Sequence, residues 1–336
     1  MRCFLDKNEN PFDLPEDVKR FFLAKVARLP LNRYPDPNYR ELKEKLSSYC
    51  GFPAGYILPG NGGDEILWMV FSRFVAPGDD VLVFSPTFSE YYRLADLFGA
   101  KLHCVPADLR GEEPLFDYDL FLKTMKELKP SLVLLDSPNN PTGRSHPVSF
   151  IGEAVALCES TIVIDEAYGE FARETWLASM RGKALPTNSL ALKTLSKAWG
   201  LAGIRLGYAV CGEDTASALN GARAPFNVNV LSNAAAETVL EHAEALLGRV
   251  ESLKVLRDSF VRNVNALPGW KAFRSDANFV LVRAAFPWET ISESIGDICL
   301  KRFSLSPETE NSSCWLRVSI GSKADMDSVV AFFSKI

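Results

Sequence analysis

Four short apolar runs constrain the fold of this chain more than any other feature. They lie at 81–84, 131–135, 161–164 and 207–210, and each has only four or five residues. Continuous apolar runs of this length are typical of strands buried on both faces of a parallel sheet. The first three end directly at polar residues. The runs therefore predict a central sheet that is covered by helices on both sides.

Helical patterns separate or follow these runs. Periodic apolar residues predict helices over 64–74, 88–98 and 150–158. Alternation of strands and helices implies an open α/β sheet, and ligands bind such sheets outside the carboxyl ends of the strands. The polar residues expected at that edge are Ser85, Asp136, Asn139, Asn140, Asp165 and Tyr168.

The sequence pattern changes after about residue 222. One long helical segment is predicted over 232–265, followed by strand-like runs at 279–282 and 315–320. Strands mixed with helices in this way suggest a smaller α+β domain. We expect a large α/β domain over 46–222. The small domain is expected to combine residues 1–45 with 223–336.

Composition excludes several classes of function. The net charge of −5 over 336 residues argues against a nucleic-acid-binding surface. Seven dispersed cysteines indicate reduced thiols in a cytoplasmic protein, and the three histidines lack metal-ligand spacing, so no metal is expected. The N-terminus lacks the apolar run of a signal peptide, and no 18-residue apolar segment predicts a membrane span.

Lys197 lies in an unusual setting. Thr194 and Ser196 precede it, Arg205 follows, and most of the residues between are small or apolar. Burying an ammonium group is costly unless it is paired or neutralised. A lysine that must lose its proton and attack a carbonyl group favours such a setting. From these residues alone, a reactive lysine and a lysine on a solvated loop both remain open.

Three further motifs each allow two interpretations. The glycine-rich turn at 60–65 precedes a helix, so it could bind a phosphate or simply cap that helix. The segment 136–143 could direct Asn140 into a cleft or form an ordinary turn. Asp165 ends a buried strand, where a carboxylate is costly without a cationic partner. A protonated pyridine nitrogen could be that partner, but Asp165 could equally cap a helix.

Nine short motifs together resemble the fold-type I family of pyridoxal-phosphate enzymes, and within it the histidinol-phosphate aminotransferases. They occur in the family's order at 6–12, 33–36, 60–65, 86–89, 139–143, 165–171, 194–208, 225–229 and 316–321. The resemblance implies a pyridoxal 5'-phosphate-dependent aminotransferase acting on amino acids and 2-oxo acids. The expected reaction is transamination of histidinol phosphate with 2-oxoglutarate in histidine biosynthesis, or transamination of a related aromatic amino acid.

The resemblance also assigns roles at the cofactor. Lys197 would react with the cofactor aldehyde and later move a proton. Asp165 would pair with the ring nitrogen, Asn140 and Tyr168 would bind the ring oxygen, and Phe88 would stack on the ring. The residues implied at the cofactor phosphate are Gly63, Asp64, Thr194, Ser196 and Arg205. Tyr34 would reach the phosphate in a neighbouring subunit, which implies a homodimer.

The substrate end is less well matched by the family pattern. The resemblance implies that Arg317 clamps the substrate α-carboxylate and that Arg302 and Asn10 also bind substrate. Alternation around Arg317 leaves an arginine on an exposed strand face as the other interpretation. The Asn-Glu-Asn-Pro motif begins at residue 8, so the N-terminal lid is expected to be short or missing. Residues 304–313 lengthen the connection after Arg302.

Two alternatives to a transaminase remain. One is a lyase on the same scaffold that resembles L-threonine-O-phosphate decarboxylase. The other is a non-catalytic pyridoxal-phosphate-binding or regulatory protein that kept the fold. Loss of Lys197, Asp165 or Arg205 would have favoured the second alternative, and all three residues are present.

Overall fold

Two β-sheets organise the molecule, one built from the middle of the chain and the other from strands near its two ends. The computed structural model describes residues 3–303 and 314–336. The strands assigned there are β1 (Cys3–Leu5), β2 (Ile57–Gly60), β3 (Asp80–Ser85), β4 (Lys101–Pro106), β5 (Leu132–Asp136), β6 (Thr161–Asp165), β7 (Ser189–Thr194), β8 (Gly207–Cys211), β9 (Trp270–Ala272), β10 (Phe279–Ala284), β11 (Ile298–Phe303) and β12 (Cys314–Ser319). The helices are α1 (Glu16–Val26), α2 (Arg40–Cys50), α3 (Gly63–Phe74), α4 (Ser89–Leu97), α5 (Tyr118–Leu128), α6 (Val148–Leu157), α7 (Trp176–Ser179), α8 (Glu213–Ala222), α9 (Val230–Glu241), α10 (Ala243–Asn265), α11 (Trp288–Ser294) and α12 (Lys323–Phe333).

The larger sheet has seven strands in the order β2-β8-β7-β6-β5-β3-β4. Strands β3 to β7 pair in parallel, whereas β8 is antiparallel to both of its neighbours. Along β5, Val133 and Leu135 join the core that includes α5 and α6, while Leu132 and Leu134 join the core that includes α3 and α4. Burial on both faces explains the continuous apolar runs. The predicted α/β class with a mostly parallel sheet is confirmed.

The carboxyl ends of the parallel strands define where a ligand can bind. Strand β4 lies on one side of β3, and β5, β6 and β7 follow on the other side. The direction of chain progression therefore reverses at β3, which creates a crevice beyond the strand ends. Asp136 at the end of β5 lies in register with Asp165 at the end of β6. The polar strand ends predicted from the sequence thus meet at one edge.

The smaller sheet joins the two ends of the described chain. Its order is β1-β11-β12-β10-β9, and β1 pairs in parallel with β11 while the other pairs are antiparallel. Helix α10 packs against β9 and α12. Because β1 belongs to this sheet, residues 6–9, which follow it, lie beside the carboxyl edge of the larger sheet. This arrangement places an N-terminal segment beside residues from both sheets.

The predicted long helix over 232–265 is wrong in one respect. The chain forms two helices, α9 and α10, which are interrupted at His242, where φ is −116° and ψ is 27°. Helix α9 packs against α1 and α2, whereas α10 packs against β9 and α12. The two halves serve different packing partners, and tertiary contacts override the continuous helical pattern. The helices predicted near 64–74, 88–98 and 150–158 are confirmed as α3, α4 and α6.

Candidate active site

One cavity lies where the two sheets approach each other. It encloses about 590 Å³, within the usual range for small-molecule sites. Its walls come from the carboxyl ends of β5, β6 and β7, the start of α3, strands β11 and β12, and the N-terminal segment 6–9. Eleven residues assigned to the site from sequence line this cavity, namely Gly63, Asp64, Phe88, Asn140, Asp165, Tyr168, Thr194, Ser196, Lys197, Arg205 and Arg317.

Lys197 reaches the cavity from the loop after β7. Its side chain is half-buried, and its Nζ donates a hydrogen bond to the Lys7 carbonyl oxygen at 2.9 Å. The Nζ also lies 5.8 Å from the centre of the Tyr168 ring. The carbonyl of Lys7 is an exchangeable acceptor, since it belongs to a passing segment and carries no charge. The geometry therefore leaves the amine available to a ligand in the cavity.

Asp165 is a buried carboxyl group at the base of the cavity. The Tyr91 hydroxyl donates to its Oδ2 at 2.9 Å, and the Ala167 N–H donates to its Oδ1 at 2.9 Å. Burial raises the pKa of Asp165 to about 6, although these donors oppose the rise. Burial also raises the pKa of Tyr91 well above its ordinary value, so the phenol remains a donor. A cation in the cavity would stabilise the charged form of Asp165.

Asp136 is a second buried acid beside Asp165. Its Oδ1 accepts hydrogen bonds from Thr87 Oγ1 and Asn139 Nδ2, each at 3.0 Å, and its Oδ2 accepts from the Asn140 N–H at 2.8 Å. Burial raises the pKa of Asp136 to about 7, and the charge of Asp165 adds to the rise. These contacts fix the loop that carries Asn140. Asp136 therefore acts on the site through its neighbours.

Another part of the cavity wall has the chemistry of a phosphate site. It combines the N-terminus of α3, a 12-residue helix, with the hydroxyls of Thr194 and Ser196 and the guanidinium of Arg205. Thr194 Oγ1 donates to Ser196 Oγ at 3.0 Å, and Arg205 Nη2 pairs with Asp64 Oδ2 at 2.8 Å. At Gly62, φ is +83° and a Cβ would lie 2.7 Å from Arg205 Nη2. Glycine at 62 thus permits this close approach.

Arg317 crosses from the smaller sheet into the cavity. Its Nη1 donates to Asn140 Oδ1 at 2.6 Å, and its Nη2 donates to the Asp6 carbonyl oxygen at 2.5 Å. Burial lowers the pKa of the guanidinium below its usual value, and the buried Nε has no hydrogen-bond partner within the described residues. Arg317 is therefore not on an exposed strand face, and it lines the cavity, where a guanidinium can bind an anionic ligand.

Arg302 does not line the cavity, whereas its neighbour Lys301 does. Lys301 lies opposite Arg317 in the register of β11 and β12. Successive residues of a strand point to opposite faces, and the Arg302 guanidinium lies 5.6 Å from the Trp288 ring. The connection at 304–313, which the sequence analysis identified as long, lies outside the described residues. The cavity position that the sequence analysis expected for Arg302 is thus occupied by the preceding residue, Lys301.

Asn10 and Tyr34 also lie outside the cavity lining. Asn10 Nδ2 donates to the carbonyl oxygens of Lys197 and Ala198, at 3.3 and 3.0 Å, so it holds the backbone of the lysine loop. Tyr34 is 80% exposed and stacks on Phe226 with 4.5 Å between ring centres. Within one chain, therefore, Tyr34 contributes nothing to the cavity.

Several cavity residues had no assigned role in the sequence analysis, namely Asn8, Thr87, Asp136 and Lys301. Asp136 and Thr87 carried a detectable signal, because both follow buried strands at the predicted binding edge. Lys301 could have been found only with the correct strand register. The local sequence of Asn8 gives no sign of the contacts that it makes at the cavity.

The described residues provide neither a metal site nor a membrane-spanning helix. Across residues 3–303 and 314–336, no group of histidine, cysteine and acidic side chains is arranged to hold a metal ion. In the same part of the chain, no helix has both the length and the apolar character needed to cross a bilayer.

The cavity and the fold define a class of enzyme, and comparison with known proteins identifies it. The family model for aminotransferase class I and II matches residues 4–333, so the chain belongs to that aminotransferase family. It is similar to the histidinol-phosphate aminotransferase of Thermoanaerobacter sp. (strain X514), with 37% identity over 282 residues that cover 84% of this chain and 78% of that protein.

Solved structures show the same fold. The histidinol-phosphate aminotransferase from Sinorhizobium meliloti, in complex with pyridoxal-5'-phosphate, has a TM-score of 0.86 and 24% identity, covering 99% of this chain and 90% of that one. An L-threonine-O-3-phosphate decarboxylase from Porphyromonas gingivalis has a TM-score of 0.80 and 19% identity, covering 99% and 98%. At these identities both likenesses show the fold alone.

Proposed function

We propose that this aminotransferase uses pyridoxal 5'-phosphate to transaminate histidinol phosphate with 2-oxoglutarate. The observation that carries the proposal is the convergence of an amine, a buried carboxyl group and an arginine on one cavity. These are Lys197, Asp165 and Arg317, which come from three separate loops or strands. The 37% identity to a histidinol-phosphate aminotransferase over most of both chains supports the substrate.

The residues of the cavity fit this cofactor. The N-terminus of α3, Thr194, Ser196 and Arg205 would hold its phosphate. Asp165 would face the ring nitrogen, and a cation there would offset the cost of burying the carboxylate. When bound, pyridoxal phosphate supplies an aldehyde for a lysine amine and a ring that withdraws electrons from the substrate carbon.

Lys197 would serve as the amine and as the base that moves a proton at the substrate carbon. It would first have to leave the Lys7 carbonyl, which accepts from its Nζ at 2.9 Å. Arg317 would bind the α-carboxylate of glutamate in place of the Asp6 carbonyl oxygen. Both exchanges replace a neutral backbone acceptor with the ligand. The carbonyl oxygens of Asp6 and Lys7 would therefore lose these hydrogen bonds when cofactor and substrate enter.

A second cation would be needed for a phosphorylated substrate. Lys301 lines the cavity opposite Arg317 in the strand register, whereas Arg302 lies against Trp288 on the other face. We therefore propose Lys301 for the distal anionic group of the substrate. This assignment also gives 2-oxoglutarate, which has two carboxylates, a partner for each of them.

We further propose a cytoplasmic homodimer in which Tyr34 of the partner subunit approaches the cofactor phosphate. The exposure of Tyr34 supports this role, because an aromatic ring that is 80% exposed in one chain has surface to bury in an assembly. Sedimentation equilibrium on the wild type measures the mass, and a mass of one subunit would contradict the proposal. Mixing Tyr34→Phe with Lys197→Ala subunits tests whether the residue acts across the interface.

A panel of amino donors tests the proposed reaction. Histidinol phosphate, phenylalanine, tyrosine and L-threonine-O-phosphate would each be offered with 2-oxoglutarate, and glutamate and carbon dioxide would both be measured. We expect glutamate to form fastest with histidinol phosphate and no carbon dioxide above background. Faster turnover of phenylalanine or tyrosine would contradict the proposed substrate. Release of carbon dioxide from L-threonine-O-phosphate would contradict the proposed reaction.

A further inference from the structure

Asn8 occupies a costly position between the cavity and the smaller sheet. It is only 1% exposed, and its φ of +54° lies in the left-handed region. Asparagine tolerates this region better than most residues, although the conformation remains unfavourable. Such strain at a cavity wall points to a role that depends on where the side chain is held.

The hydroxyl of Ser319, at the end of β12, fixes the orientation of the Asn8 amide. Ser319 Oγ accepts a hydrogen bond from the Asn8 backbone N–H at 2.8 Å and donates to Asn8 Oδ1 at 3.0 Å. The opposite orientation of the amide would place Nδ2 against Ser319. The hydroxyl proton, at a residue only 1% exposed, would then lose its acceptor. The amide oxygen therefore faces Ser319.

This orientation determines the polarity of the next hydrogen bond. Asn8 Nδ2 donates to the Tyr168 hydroxyl oxygen at 2.9 Å. A tyrosine hydroxyl carries a single proton, and here its oxygen is the acceptor for Asn8. The proton of Tyr168 is thus available to point into the cavity that Tyr168 lines.

We infer that Asn8 and Ser319 are positioning residues that present the Tyr168 hydroxyl as a hydrogen-bond donor to the ring oxygen of pyridoxal phosphate. The inference rests on the proposed cofactor. Asn278 Nδ2 donates to the Asn8 carbonyl oxygen at 3.0 Å, which anchors the same residue without influencing the amide orientation. Asn278 therefore offers a matched control.

The expected effect is a shift in the spectroscopic titration of the bound cofactor. A donor to the ring oxygen stabilises its anion and so lowers the pH midpoint of the absorbance change. Asn8→Asp places a carboxylate that accepts the Tyr168 proton, so the donor to the ring is lost. The midpoint should rise by roughly 1–2 pH units, the range for a hydrogen bond to a charged group.

Other charged groups face Tyr168, and they define the background of the titration. They are Lys197, whose Nζ lies 5.8 Å from the ring, and Arg317, whose charge interacts with the Tyr168 hydroxyl. Both stay in place in the variants proposed here. Ser319→Ala offers a second route, because it releases the Asn8 amide to turn, and it should raise the midpoint in the same direction by a smaller amount.

A double-mutant comparison separates positioning from general loosening of the site. Tyr168→Phe should raise the midpoint, and adding the charge-neutral change Ser319→Ala to it should produce no further rise, because Ser319 and Asn8 act through the Tyr168 hydroxyl. Asn278→Ala should leave the midpoint within about 0.3 units, well below the range for a charged hydrogen bond. Circular dichroism checks that each variant is folded.

Three results would overturn the inference. They are an unchanged midpoint in both Asn8→Asp and Ser319→Ala, additive shifts in the double variant, and an equal shift in Asn278→Ala. Failure of the proposed function looks different, since the wild type itself would then show no absorbance from bound cofactor.

Discussion

The two ends of the cavity are built in different ways. The proposed cofactor end comes from strand-end loops of one mostly parallel sheet, and Asp136 and Asp165 each have partners in the loops or the helix that follow those strands. The substrate end comes from residues that are far apart in the chain, namely the segment 6–9, Lys301, Phe303 and Arg317. Lys197 and Arg317 donate there to the carbonyl oxygens of passing backbone, and Arg317 also donates to Asn140.

This difference separates what must stay fixed from what must be exchanged. Carboxyl groups that are satisfied by buried donors hold one geometry, because any rotation would leave a buried polar atom unpaired. Lys197 and Arg317, by contrast, donate to neutral carbonyls of Lys7 and Asp6 that a ligand can replace. The contrast predicts that substitutions at the two ends will have different kinetic effects.

The largest expected effect is at Lys197, which belongs to both ends. Lys197→Ala removes the amine that would react with the cofactor and the base that moves the proton, so kcat should fall by at least about 10³-fold. Rapid-quench assays and the absorbance of added pyridoxal phosphate measure the two losses. Lys183→Ala, at an exposed lysine, is the control. Undiminished transamination by the Lys197 variant would refute the proposed chemistry.

The next largest effect tests whether substrate binding and cofactor binding depend on different residues. Arg317→Ala should raise KM for glutamate about 10- to 100-fold, because a hydrogen bond to a charged group contributes roughly 1.5–3 kcal/mol. The affinity for pyridoxal phosphate should change less than about twofold, well under that energy. Steady-state kinetics and fluorescence titration give the two values. If both affinities fell equally, Arg317 would be structural and the two ends would not be independent.

A smaller effect concerns the stability of the cofactor end without ligand. Burial raises the pKa of Asp136 to about 7, so the folded state binds more protons than the unfolded state between about pH 4 and pH 7. Stability due to this group therefore falls as pH rises through that window. Between pH 4.5 and pH 8, the Tm of the cofactor-free Asp136→Asn variant should fall by about 3–6 °C less than that of the wild type.

The wild type is the necessary reference for this prediction. Burial lowers the pKa of His146 to about 3, and a depressed histidine pKa makes stability rise with pH up to about 6.5. His146 thus opposes Asp136, whereas Asp165, whose pKa burial raises to about 6, acts in the same direction as Asp136. Comparison of the two proteins cancels the contribution of His146. If calorimetry shows the same change in Tm with pH for the wild type and for Asp136→Asn, Asp136 does not titrate in this range.

The sequence predicted the cofactor end better than the substrate end, and strand geometry explains why. Asp165 and Lys197 follow buried apolar strands, so their position at the binding edge follows from the chain itself. Lys301 and Arg302 differ by one residue, and a shift of one residue in a strand moves a side chain to the other face. Asn8 depends on Ser319, which is 311 residues away. Such a contact has no local signal.

The smallest expected effect tests the register at the substrate end. Lys301 is exposed at the rim of the cavity, where ion pairs contribute about 0–1 kcal/mol and salt screens them. Lys301→Ala should therefore raise KM for histidinol phosphate only about two- to fivefold at low salt, and less at high salt. Arg302→Ala removes the same charge from the other face of β11 and should leave KM unchanged at either salt concentration. A larger effect from Arg302 than from Lys301 would reverse the assignment. The register of β11 against β12 would then fail to describe the substrate-bound enzyme, while the cofactor end, which rests on a different sheet, would be untouched.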